Sequence, residues 1–237
     1  MKGNPTKGPQ HTFLYRLTAL FSKLQFRYLH QVSHRRDLIT AVYLFSAGVT
    51  ALSTITMMAY VTDLMLLFPP LGPSAFILFS TPLSESACPR NLVLSHSVAL
   101  AAGLGALALV KLIFPGLHEA PVDMAINWPH VIAIAIAMGG SSIAMVVFRC
   151  VHPPAVATGL IAAMGYLGNI VQMGGVWVAV LFLAVEAIVF NRIFGGLPYP
   201  FWRFDPNVDK MYRPLAGQAA PDTSRWQKMA QKTFHRR

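Results

Sequence analysis

Charge is scarce in this chain of 237 residues: Asp, Glu, Lys and Arg together make up 12% of it, about half the share of roughly 25% in an average soluble domain. So few charges cannot clothe the surface of a domain this size, and a mean hydropathy of +0.50 excludes an ordinary water-soluble globule. Cysteine is nearly missing as well. Cys88 and Cys150 are too few for a disulfide framework. No short apolar stretch with a small-residue cleavage site precedes Leu38, so no secretory signal is read. The chain has no His-Glu-x-x-His motif, no pair of inward carboxylates and no Ser-His-Asp arrangement at a plausible spacing. The reading is therefore not an enzyme, with no metal and no cofactor.

What charge there is has been sorted. Residues 1–37 hold seven of the 19 basic residues against one acid, Asp37, and residues 192–237 hold nine against three. The long middle carries three basic and five acidic residues. A pI near 10.0 invites a nucleic-acid reading, but an apolar middle between basic ends describes an integral membrane protein better. Nothing in either end points to recognition of bases.

Four uncharged or nearly uncharged stretches are long enough to cross about 30 Å of hydrocarbon as helices: Leu38–Thr62, Asn91–Val110, Pro129–Phe148 and Val171–Asn191. Two more, Leu64–Ser84 and Cys150–Asn169, are interrupted by Pro69-Pro70-Leu71-Gly72-Pro73 and by His152-Pro153-Pro154. Proline removes a backbone donor and clashes with the preceding turn, so neither can be a straight helix. The positive-inside rule favours counting all six. Arg90, Arg149 and Arg192 then share the cytoplasmic side with both basic termini, while Asp63, Glu119 and Asp123 fall outside. A shift of 84 positions lays Pro69-Pro70 on Pro153-Pro154 and Ser74 on Thr158. The expected fold is all-α, with six spans as a 3+3 inverted repeat whose middle helices break at Pro-Pro. The boundaries are 1–37 for a basic segment, 38–114 and 129–191 for the two membrane repeats, 115–128 for an outer loop, and 192–237 for a basic tail. Within the first segment, residues 12–29 place Phe13, Leu17, Leu20, Phe21, Leu24 and Tyr28 on one helical face, suited to the headgroup layer.

Irregular backbone at membrane depth survives only where protein or a water-filled cavity surrounds it, so the two Pro-Pro breaks mark the interior. A short helix can begin at Gly72-Pro73-Ser74-Ala75 and another at Pro154-Ala155-Val156-Ala157-Thr158. Free N–H groups and the positive dipole end make such starts anion sites, to which Ser74 and Thr158 add hydroxyls. The expected substrate contacts are Gly72, Pro73, Ser74, Ala75, His152, Pro153, Pro154 and Thr158. His152 can donate to an anion or change protonation. Arg90, Asn91, His96, Arg149 and Glu186 form a second tier, gating or proton-linked. In that tier His96 is expected near the inner mouth and Glu186 in a pair with Arg90 or Arg149. Gly103-x-Gly105 and Gly139-Gly140-Ser141-Ser142 read as close-packing surfaces between helices.

These motifs carry a resemblance. Pro69-Pro70-Leu71-Gly72-Pro73-Ser74-Ala75, Pro89-Arg90-Asn91 with His96, His152-Pro153-Pro154-Ala155 through Thr158, and Asn191 followed by Leu197-Pro198-Tyr199-Pro200 and Trp202 together resemble the HPP family of small integral membrane proteins. The likeness covers about residues 35–205. Val156 stands where the family often has glycine. The resemblance implies a membrane protein usually described with four transmembrane helices, some of whose plant and cyanobacterial members are associated with nitrite transport. The combined expectation is a permease for a small anion, nitrite first, in a bacterial inner membrane with both termini cytoplasmic. An organelle membrane is the other placement. A homo-oligomer is expected to shield the cavity, and membrane lipid is the surrounding partner. The rival is a non-transporting scaffold or sensor that binds lipid or a protein partner.

Overall fold

The computed structural model describes residues 13–117 and 126–216, and among them there are helices and connections but no strand. Glu119, Asp123, the first twelve residues and the tail beyond Ala216 lie outside the described residues. The α-helices are α1 (Phe13–Leu24), α2 (Phe26–Val32), α3 (Arg36–Thr62), α4 (Leu71–Ser80), α5 (Pro89–Ile113), α6 (Trp128–Val147), α7 (Val156–Ala163), α8 (Ile170–Val189) and α9 (Pro206–Tyr212). A 3-10 turn, Pro153–Ala155, leads into α7, and a π turn, Phe190–Phe194, extends α8.

Local chemistry sets these boundaries. Pro89 opens α5 and Pro129 stands in the first turn of α6, where a missing N–H costs nothing. Asn127 caps α6 by accepting from the His130 N–H, and Asn169 caps α8 in a reciprocal capping box with Gln172. Asp63 ends α3 in the left-handed conformation, at φ 53°.

Among the described residues, four helices are long and apolar enough to cross a membrane: Arg36–Thr62, Pro89–Ile113, Trp128–Val147 and Ile170–Phe194. The two shorter apolar helices, Leu71–Ser80 and Pro153–Ala163, would reach only about 15 Å each, half the hydrocarbon thickness. Of the six stretches read from the sequence, four thus form spanning helices. The other two form half-length helices entered through irregular backbone, at the Pro-Pro breaks.

Lipid removes the usual hydrophobic drive for helix association, so packing depends on small residues that allow close approach. The buried faces obey that demand. Ala47, Ala51 and Ile55 repeat every four residues on α3, as do Ser95, Ala99 and Gly103 on α5, Ala133, Ala137 and Ser141 on α6, and Gly175, Ala179 and Leu183 on α8. α5 is the centre, packed against α6, α7 and α8. A Cβ on Gly103 would lie 2.1 Å from the Gly159 carbonyl oxygen, and one on Gly159 would lie 2.7 Å from Ser141 Oγ and 2.8 Å from the Ala99 carbonyl oxygen. Gly103 is the expected packing glycine; Gly105 and Gly139 meet nothing within 4 Å and do not pack this way.

The contacts sort the helix ends. At the arginine end, Arg90 donates to the carbonyls of Arg149 at 2.8 Å and Phe148 at 3.4 Å. There too Asn191 donates to Leu78 O, Tyr43 donates to Asn191, and Tyr199 donates to Ala87 O. The starts of α3 and α5 and the ends of α4, α6 and α8 therefore meet. At the opposite end, the start of α8 abuts Met65, just past α3, through Gly175. There also the last turns of α5 and α7 pack on the first turns of α6 through Leu107, Val110, Ala163 and Ala133.

The expected single helix over 12–29 is corrected. Gln25 is extended (φ −65°, ψ 143°) and separates α1 from α2. Its side chain donates to Ile193 O at 2.9 Å, and the chain turns so that Phe26 buries against Tyr43 with ring centroids 4.5 Å apart. The apolar residues Phe13, Leu17, Leu20, Phe21 and Leu24 on α1 stay exposed.

Candidate functional site

The two Pro-Pro breaks are brought together beside α5. Pro69-Pro70 ends the irregular run after α3, and α4 then starts at Leu71 with Ser74 one turn in. His152 precedes Pro153 with extended backbone (φ −142°, ψ 92°), as a residue before proline should. That conformation turns its ring away from α7, toward α4 and the loop before α5. Ser74, His152 and Thr158 are 0% exposed and His96 is 2% exposed.

These four side chains form one hydrogen-bonded chain. Thr158 Oγ1 lies 2.7 Å from His96 Nδ1, and His96 Nε2 lies 3.3 Å from Ser74 Oγ. Ser74 Oγ lies 2.9 Å from His152 Nε2, and His152 Nδ1 lies 2.7 Å from the Ser86 carbonyl oxygen. With both imidazoles neutral, donor counting assigns every proton. A carbonyl only accepts, so His152 Nδ1 carries hydrogen. In the neutral ring Nε2 then accepts, from the Ser74 hydroxyl. The Ser74 oxygen is left to accept from His96 Nε2–H, and His96 Nδ1 accepts from the Thr158 hydroxyl. The chain runs in one direction, Thr158 to His96 to Ser74 to His152 to Ser86, with both histidines neutral and every member satisfied. The imidazole centroids are 5.7 Å apart, and Phe68 sets its edge against His96. The void beside His96, walled by Val93, Leu100, Val176 and Val180, holds no water-sized space.

This geometry keeps some expectations and corrects others. Ser74 and Thr158, matched by the shift of 84, do meet at one group, and that group is His96. His96 is not at a mouth; it is the buried junction between the two half-helices. The free N–H groups expected at the half-helix starts are largely spent. Leu71 N–H bonds Phe68 O, Ser74 N–H bonds Pro70 O, and Ala155 N–H bonds His152 O, while Pro73, Pro153 and Pro154 have none to give. Gly72 and Ala75 lie in the first turns of α4 without a side-chain polar group to contribute. Glu186 pairs with neither Arg90 nor Arg149. It takes a hydrogen bond from Thr54 on α3, because the α8 face carrying it turns to α3 and not to α5. Arg90 and Asn91 brace the loop: Asn91 Nδ2 donates to Glu85 O at 3.0 Å and Arg90 to Asn91 Oδ1 at 3.1 Å.

Several residues that position the site were not read from the sequence as doing so. Ser86 supplies the terminal acceptor through its backbone, which no side-chain pattern reveals. Ser95 donates to Cys150 O, pinning the strand-like entry to His152 on α5. Asn191 holds Leu78 O at 3.1 Å and Ala187 O at 2.8 Å from within the π turn, and so fixes the far end of α4. The motif around Asn191 and Tyr199 pointed to these positions without giving their contacts.

The sequence of residues 33–200 matches the family described as HPP, transmembrane region. The chain belongs to the HPP family. It is thus an integral membrane protein, all-helical over its described residues, with four helices able to span. No curated protein and no solved structure matches the chain. The histidine of the His-Pro-Pro signature, His152, is the one whose ring closes the chain on Ser86. In this HPP protein the motif therefore does two jobs: the prolines start a half-helix, and the histidine ties it to α4 and to the loop before α5.

Proposed function

We propose that this HPP protein is a permease that carries a small inorganic anion, nitrite first among the candidates, together with a proton. The observation that supports it most is the buried hydrogen-bonded chain through His96 and His152, which joins the two half-helices beside a void too small for water. A buried polar network of this kind is expensive at membrane depth and typical of ion and proton paths. Both hydroxyl protons are already committed to imidazole nitrogens, so an anion meets no free donor while the histidines stay neutral. Protonating His96 Nδ1 or His152 Nε2 turns an acceptor into a donor and places a positive charge in apolar surroundings. An entering anion offsets that charge, so anion and proton enter the site together.

In this reading the half-helices complete two interrupted crossings. α3 and α5 both run from the arginine end to the opposite end, and α6 and α8 both run back. The segments 63–88 and 150–169 must each return across the same thickness, about 25 Å of irregular chain plus helix sufficing for the first. Six passages result, arranged as two inverted units, one holding Ser74 and the other Thr158. Relative movement of the units gives alternating access, with the arginine end cytoplasmic in a bacterial inner membrane. A second copy would shield the lipid-facing side. The scaffold reading draws on the exposed apolar face of α1, which suits a lipid surface.

Two measurements test this. Purified full-length protein in liposomes, given an inward nitrite gradient, should acidify the lumen in step with nitrite entry. No flux across a panel of small anions would favour the scaffold, and flux without proton movement would remove the coupling. Cysteines introduced at exposed Glu85 and Gly168 should label from opposite sides of the membrane. Labelling from one side would return the fold to four crossings with two re-entrant segments.

A further inference from the structure

A second site lies at the arginine end, outside the buried chain. A cavity of about 270 Å³ is lined by Glu85, Arg90, Asn91, Arg149, Arg203 and Phe204. That is about nine water volumes at roughly 30 Å³ each, room for a small oxyanion with part of its hydration. Three arginines and one exposed carboxylate line it, and none of the three arginines makes an ion pair among the described residues.

The arginines arrive from three separate parts of the chain; the side chain of Arg90 is held by the fold, while Arg149 and Arg203 are placed by their backbone and their side chains are exposed. Arg90, at the start of α5, is fixed by its bonds to the Phe148 and Arg149 carbonyls and by its own N–H to Trp202 O at 3.0 Å. Arg149 sits at φ 50°, a left-handed turn between α6 and the entry to His152. Arg203 is delivered by the segment after α8, which is tied down where Tyr199 donates to Ala87 O at 2.5 Å and Arg192 donates to Tyr199 O at 2.7 Å. Arg192 also stacks over the Phe201 ring, 3.6 Å from its centroid. The side chains of Arg149 and Arg203 make no hydrogen bond within the described protein, so their planar donor forks remain open. Such forks match paired oxygens better than a spherical halide.

The pocket also adjoins the buried chain. Asn91, in its wall, takes hold of the Glu85 carbonyl, and the next residue, Ser86, is the terminal acceptor for His152. We infer that this three-arginine pocket is an oxyanion site, the station at which the transported anion waits on the arginine side of the histidine chain. Its place on a transport path rests on the permease reading; its binding rests on the pocket alone. The same chemistry would also hold the phosphate of a phospholipid headgroup.

The experiment is a binding titration of the full chain in maltoside micelles, which carry no phosphate, with nitrite and inorganic phosphate as probes. Arg149→Gln and Arg203→Gln should each weaken binding about tenfold, the loss of one charge-assisted contact, without lowering the melting temperature. Arg203→Lys, which keeps the charge but not the fork, should fall between. Added phosphatidylglycerol that competes with the probes assigns the pocket to lipid headgroups. Phosphatidylglycerol without effect assigns it to the free anion, and either result supports an oxyanion site. Failure of both probes and of phosphatidylglycerol to bind, or binding unchanged in both glutamine variants, overturns it. Binding that depends on the arginines in a protein without flux would leave the pocket standing and remove the permease. Flux in a protein whose binding ignores the arginines would do the reverse.

Discussion

Replacing His96 by glutamine is expected to cut nitrite flux into liposomes by on the order of a hundredfold, the low end of what a positioned proton-transfer group contributes. The protein should still insert, purify and melt near the temperature of the parent. Glutamine is chosen because its carbonyl oxygen can accept from Thr158 and its amide can donate to Ser74, so both neighbours in the chain stay satisfied. What glutamine cannot do is take up a proton. The variant therefore separates the two roles that a buried histidine can play. If the histidines only fill hydrogen-bond positions, His96→Gln transports at the parental rate and the lumen acidifies as before. If they carry a proton, flux and acidification fall together. His152→Gln should behave alike, with its amide on Ser86 O and its oxygen on Ser74. Ser74→Ala is the contrasting case. It orphans His96 Nε2–H and His152 Nε2 at once in a dry site, so it should also destabilise the fold, by about 1–3 kcal/mol for each donor or acceptor left unpaired. A flux loss in His96→Gln with an unchanged melting temperature is thus the informative pair of readings. Parental flux in that variant would remove proton coupling from the proposal.

Much of the architecture was legible because membrane helices obey coarse rules. Length and the absence of charge located α3, α5, α6 and α8 to within a few residues, and the prolines located the starts of α4 and α7. Charge sorting gathered Arg90, Arg149 and Arg192 at one end, and the contacts among Arg90, Phe148, Arg149 and Tyr199 place them there. Ser74, Thr158 and His152 were legible as interior groups because a break at Pro-Pro must be buried. Azimuth around each helix was not legible. Distance along α8 brings Glu186 near the arginine end, yet α8 turns that residue to Thr54. Distance along α5 alone suggests a mouth for His96, whereas the face of α5 it occupies is the one against both half-helices. Gly159 carried no repeat or motif of its own, and its role appears only with Gly103 and Ser141 beside it. Arg203 lies outside every apolar stretch, so only the path of the chain after α8 brings it to Arg90 and Arg149.

The contact between α5 and α7 carries a large expected effect on stability. Gly103→Ala would set a methyl group 2.1 Å from the Gly159 carbonyl oxygen and 2.8 Å from the Ala162 methyl. Neither obstacle is the end of a flexible side chain, so the helices themselves must separate. Overpacking of this kind costs typically about 1–3 kcal/mol and sometimes more, and a large drop in melting temperature is expected in detergent and in lipid alike. Gly105→Ala is the control on the same helix. Nothing lies within 4 Å of its added methyl, and removing a glycine from a helix interior relieves roughly 0.5–1 kcal/mol of backbone entropy cost, so its melting temperature should hold or rise. The comparison bears on function because Gly103 and Gly159 set the distance at which Thr158 reaches His96. Residue 158 is the neighbour of Gly159, and a separation of even 1 Å would stretch the 2.7 Å bond to His96 past hydrogen-bonding range. Gly103→Ala should therefore lose flux through the same chain that His96→Gln disables, but with a loss of stability that His96→Gln lacks. Equal melting temperatures for the two alanine variants would mean that α5 and α7 do not approach this closely, and the junction of the half-helices on His96 would go with it.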